Sequence, residues 1–159
     1  MATVKLAEAL AERAEATRRV EQLRSRVVSN ARYQEGETPA EEAAQLLAEA
    51  GEVLDHLESL IRRINRTNAA VDMGPDGTLT DALARRDVLR LRHSVVNAAA
   101  DAAAGSGDRG YGRQLRSELM MLSALPVAEL RAQADVLARE IREVDVRIQR
   151  MNWEADLLD

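Results

Sequence analysis

The chain has 159 residues, 46% hydrophobic and 31% charged, a globular composition that excludes a disordered or membrane-embedded polymer and points to one domain, residues 1–159. It has no cysteine, which excludes disulfides, thiolate nucleophiles and Cys-bound zinc. A net charge of −5 disfavours generic nucleic-acid binding, and no apolar run approaches the ~20 residues that span a bilayer, so a cytoplasmic protein is expected.

The aromatics are Tyr33, Tyr111 and Trp153, with no Phe, so any core is aliphatic. Ala and Leu dominate, and β-branched residues do not alternate, which favours long helices over strands. The first helix is expected over residues 3–30. Leu6, Ala9, Ala16, Val20, Leu23 and Val27 form one stripe, interrupted by Arg13. The second is expected to begin near Pro39, with Thr38 as cap and Glu41 and Glu42 at the positive dipole end. Its predicted stripe is Ala43, Leu47, Ala50, Leu54, Leu57, Ile61, Ile64 and Asn68, at coiled-coil spacing.

Gly74, Pro75, Asp76 and Gly77 break the chain. The third helix is expected over 79–103, with Thr78 and Asp81 as a capping box. It carries two adjacent stripes: Ala84, Val88, Leu91, Val95, Ala98, Ala102, and Ala82, Leu89, Val96, Ala103. A helix apolar on two faces touches more than one neighbour. Residues 105–112 read as a loop. Within 113–125, Leu119 to Leu122 suit either a short strand or part of a helix. The fourth helix is expected over 126–156, with Leu130, Ala134, Leu137, Ile141, Val144, Ile148 and Met151 as its stripe. Asp135–Arg139 and Glu143–Arg147 are expected as ion pairs one turn apart. Similar lengths and short connections predict an all-α, antiparallel four-helix bundle, with a short extended segment before the last helix as an option.

At Gln34-Glu35-Gly36-Glu37, Ile64-Asn65-Arg66-Thr67-Asn68, Leu79-Thr80-Asp81-Ala82-Leu83, Arg86-Asp87-Val88-Leu89-Arg90, Ile148-Gln149 and Asn152-Trp153, the chain resembles the septicolysin-like family of small bacterial proteins. The resemblance runs in order over nearly the whole chain and is loose at Arg116-Ser117-Glu118-Leu119-Met120. It implies a helical, cytosolic, oligomeric protein and little about activity. The family label suggests a cholesterol-binding toxin. The charged outer faces of the helices and the lack of a spanning segment predict no membrane activity.

Ferritin-like metal bundles need Glu-x-x-His pairs, but Val53 and Arg90 stand three residues before His56 and His93. Glu52, Asp55 and His56 remain as a weaker candidate for a divalent metal, against the plainer alternative of a solvated acidic face. Residues 33–61 hold eight acids and no Lys or Arg, and arginines then gather around the next turn. Arg62, Arg66, Arg85 and Arg86 are the candidate anion-binding residues; dipole matching and solubility explain the same pattern. Asn65 and Asn68 suit either a register-setting position or a helix cap. Asp87 is expected as an ion-pair partner. No nucleophile elbow, phosphate loop or dinucleotide fingerprint appears.

These observations favour a non-enzymatic, self-associating protein with a scaffolding or binding role. Val88, Leu89, Leu91, Val95 and Val96 are its expected interface. The alternative is a metal-binding assembly or metal-dependent enzyme, with carboxylate ligands at a subunit interface.

Overall fold

Leu6, Ala9, Ala16 and Leu23 are buried along one edge of the first helix, α1 (Leu6–Asn30), with Val20 and Val27 half-buried and Arg13 exposed. The computed structural model describes residues 3–105 and 119–159. Three more helices follow among them: α2 (Ala43–Ala70), α3 (Leu79–Ala103) and α4 (Val127–Glu154). No strand occurs among the described residues, and the fold is all-α. Contacts group into two compact units. One takes α1, α2 and the last ten residues; the other takes nearly all of α3 and α4.

In the first unit α1 and α2 run antiparallel. Glu12 meets His56 and Arg19 meets Glu49, so partners rise along one helix as they fall along the other, and Arg26 meets Glu41 just before α2 begins. Between them Leu23, Leu46 and Ala50 form a buried cluster, with Val27 and Val53 against it. The start of α2 corrects the sequence expectation. Thr38 and Pro39 lie outside the helix, which begins at Ala43. The Asn30 side-chain carbonyl accepts the Glu41 N–H at 3.0 Å, and the Glu41 carboxylate receives Arg26. These bonds tie residue 41 to the end of α1 instead of to a first turn.

The buried stripe of α2 keeps Ala50 and Ile64 of the expected one, with Leu57 half-buried, but elsewhere takes the preceding neighbour. Leu46, Ala50, Leu60, Ile64 and Thr67 are buried, while Leu47, Leu54 and Ile61 are exposed. Apolar residues stand side by side at 46/47, 53/54 and 60/61, so periodicity alone offers two equivalent stripes. Packing selects the one that brings Leu46 to Leu23. The polar residue it buries is Thr67, not Asn68. The Thr67 hydroxyl donates to the Arg63 carbonyl at 2.8 Å and accepts the Leu158 N–H at 2.9 Å.

The last residues strap this unit together. Leu6 N–H donates to the Ala155 carbonyl at 3.0 Å, and Leu157 N–H donates to Val4 at 2.8 Å. Lys5 bonds Asp156 at 2.7 Å, and Arg63 holds the Leu158 carbonyl at 3.1 Å. The Asp156 carboxyl lies below the usual carboxylate range because Lys5, then Thr3, hydrogen-bonds it.

In the second unit Arg86 meets Asp145 at 3.0 Å and Asp101 meets Arg131 at 2.6 Å, an antiparallel α3–α4 arrangement. Ala134, Leu137, Val144 and Ile148 of the expected α4 stripe are buried. Leu119 to Leu122 form neither strand nor helix and are strongly exposed. The rest of the uncertain stretch, 113–118, lies outside the described residues.

Candidate interaction surface

The two stripes of α3 have different fates. Ala82, Leu89 and Val96 of one are buried, with its Ala103 half-buried and the neighbouring Ala100 buried instead. The second stripe is exposed along its whole length, from Ala84 to Ala102. Val88 is 54% exposed, Leu91 67% and Val95 68%. At 3.6 residues per turn the two stripes are centred roughly 150° apart, so, contrary to the sequence expectation of adjacent stripes, they lie on nearly opposite sides of the helix. Val136 of α4 is also exposed and lines the same shallow cleft as Val88. Of the five expected interface residues, Val88, Leu91 and Val95 are therefore surface residues. Leu89 and Val96 are mostly covered by the fold, at 9% exposure each, and Leu89 lies at the floor of that same cleft.

At its alanine end this face meets a second apolar cleft of about 640 Å³. Ala99 and Ala102 of α3 line it together with Met121, Leu122 and Leu125.

The four expected anion-binding arginines are divided between the two units. Arg62 and Arg66 belong to the first unit and line a cleft of about 550 Å³ with three carboxylates, Asp55, Glu58 and Asp159. Arg62 is paired with Glu58 at 2.5 Å. Arg85 and Arg86 belong to the second unit, where each is already matched to an acid. Acids neutralise much of the positive charge that would attract an anion. Asp87 is an ion-pair partner, 3.7 Å from the Arg86 guanidinium.

The metal candidates separate too. His56 Nε2 lies 2.7 Å from the Glu12 carboxylate, and Glu52 borders the same cleft. Asp55 borders the arginine cleft instead. Among the described residues no three His, Asp or Glu side chains come together as a ligand set.

The most ordered electrostatic feature is one the sequence did not single out. Asp76 sits in a short 3-10 turn, Gly74–Asp76, between two glycines of positive φ, Gly74 at 68° and Gly77 at 81°. Its side chain is 2% exposed. Arg147 donates Nε and Nη2 to one carboxylate oxygen at 3.1 and 2.5 Å. Arg85 donates Nη1 to the other at 2.5 Å. Arg147, and after it Arg85, hold the Asp76 carboxyl below the usual carboxylate range. Arg147 is expected from the sequence to pair with Glu143, but it binds Asp76. This arrangement fixes a turn to two helices and leaves the carboxylate no room for substrate. No helix among the described residues is long and apolar enough to cross a membrane.

A family model described as "Family of unknown function (DUF6847)" matches residues 13–157. The chain belongs to this family. It is similar to a functionally unknown conserved protein from Corynebacterium diphtheriae whose crystal structure is solved. That protein shares 38% identity, with 99% of this chain and all of that chain covered, at a TM-score of 0.88. No curated protein matches the chain.

Proposed function

We propose that this family member is a non-catalytic cytoplasmic protein that associates with copies of itself through α3 and serves a scaffolding or binding role. The observation that carries this is the exposed stripe with Val88, Leu91 and Val95 at its centre. From residue 84 to 102 it extends roughly 27 Å along the helix. A contiguous apolar strip of that length on a charged protein loses favourable free energy in water, and such patches mark interaction sites. The ion pairs support the same view. The Asp76 carboxylate is held by Arg147 and Arg85, and Arg62 and Arg86 are already matched to Glu58 and Asp145.

The test is light scattering coupled to size exclusion, on the wild type and on a Leu91→Lys, Val95→Lys double variant. Both positions are exposed, so the variant should keep its circular dichroism and melting temperature. The wild-type mass should rise with concentration and the variant should stay at one chain. A wild-type mass that stays at one chain up to about 1 mM would refute the proposal.

A further inference from the structure

We propose that α3 pairs with α3 of a second copy in parallel, as a two-stranded coiled coil around a two-fold axis. This rests on the self-association proposed above and specifies its partner, its direction and its register.

The exposed residues recur at spacings of 4, 3, 4, 3 and 4: Ala84, Val88, Leu91, Val95, Ala98, Ala102. That is the alternation of a and d positions in a heptad. It places Val88, Val95 and Ala102 at a, and Ala84, Leu91 and Ala98 at d. Branched Val at a with Leu at d is the combination that favours two parallel strands. The three alanines let the backbones approach closely toward both ends.

Charge decides the direction. Residues flanking the stripe are Asp87 and Asp101 at g, and Arg85 and Arg92 at e. In a parallel pair, each g residue faces the e residue five positions later on the other copy. Asp87 then meets Arg92 of the second copy, twice by symmetry. In an antiparallel pair in register, Asp87 would face Asp101 and Arg92 would face Arg92. Like charges across an interface suppress that arrangement. Arg92 has no ion pair among the described residues, and Asp87 has only the 3.7 Å contact with Arg86. Both remain available. Arg85 and Asp101 are engaged within the unit, with Asp76 and Arg131.

The area sets the strength. A helix of 25 residues is roughly 37 Å long, and a contact strip ~10 Å wide gives roughly 400 Å² per copy. A standard stable interface buries about 800 Å² per partner, so this pairing is weak, even with Val136 extending it.

Cross-linking suits a weak pair, and the chain has no cysteine of its own. Single variants Ala84→Cys and Ala102→Cys place thiols at exposed positions near the two ends of the stripe. Ala128→Cys, exposed on α4, controls for random collision. After mild oxidation, Ala84→Cys alone and Ala102→Cys alone should each give a covalent dimer, and Ala128→Cys should not. An antiparallel pair would leave both single variants monomeric and cross-link only their mixture, which overturns the proposal. No cross-link at the stripe, with a dimer still seen by light scattering, overturns the α3 pairing and leaves self-association standing. A monomer at every concentration overturns both. The charge pair has its own arm. In the Ala84→Cys background, Asp87→Arg and Arg92→Asp should each lower the dimer yield several-fold, and the double exchange should restore it. A double exchange as weak as either single change overturns the Asp87–Arg92 register.

Discussion

Asp76, in the turn before α3, and Arg147, late in α4, are 71 residues apart in sequence and joined by two hydrogen bonds to a single carboxylate oxygen. Arg85 takes the other oxygen. Asp76→Asn should lower stability by about 1–3 kcal/mol, since a buried charge loses charge-assisted hydrogen bonds. The loss falls short of that for a fully buried triad, because both arginines are roughly half exposed and can be hydrated. In thermal melts at neutral pH, a variant as stable as wild type would contradict this role.

The same pair predicts a pH dependence. Arg147 and Arg85 lower the folded-state pKa of Asp76 below its unfolded value. Its contribution is therefore complete above the ordinary carboxylate range and is lost as the pH falls through the lowered value. The stability difference between wild type and Asp76→Asn should be largest near neutrality. It should shrink as the pH falls below about 4, as denaturant titrations across pH would show. A gap that widens in acid would have the wrong sign.

Two glycines should respond oppositely to alanine. At Gly77, φ is 81° and a Cβ would run into the Asp81 carboxylate, so Gly77→Ala should destabilise by about 1 kcal/mol or more. At Gly51, inside α2, a Cβ would meet nothing within 4 Å. Gly51→Ala should stabilise by about 0.5–1 kcal/mol through helix propensity. Urea midpoints shifting the same way for both would refute the local geometry.

The α2 stripe can be checked with one pair of leucines. Leu60 is buried and Leu47 is exposed, although periodicity alone does not separate their stripes. Leu60→Ala should cost about 2–5 kcal/mol and Leu47→Ala under about 0.5 kcal/mol. Comparable losses in the two variants would return the helix to the other register.

Much of the fold is legible in residue order alone. α1 and α4 each carry one stripe, so periodicity has a single solution, and the α3 bounds follow from the Gly-Pro-Asp-Gly break and the later Gly105. The register of α2 is not legible, because neighbouring apolar pairs satisfy two stripes equally and only contact with Leu23 separates them. The onset of α2 at Ala43 depends on Asn30 and Arg26, which reach residue 41 from another helix. Asp76 reads as an ordinary turn residue, since its partner Arg147 has a plausible local acid at Glu143 one turn away. Thr67 resembles many solvated threonines until Leu158 arrives to bond it. For the interface, sequence shows that α3 has two apolar faces. Burial of Leu89 and Val96 identifies the spare one as Val88, Leu91 and Val95.

Sedimentation equilibrium of the intact chain tests self-association most directly. Data from about 1 µM to about 1 mM cover the affinities that a weak α3 pairing allows. The average mass should rise from the 17.5 kDa of one chain toward twice that value, and Leu91→Lys with Val95→Lys should abolish the rise. A mass that stays at one chain throughout, or a rise that the double variant leaves unchanged, would contradict the account.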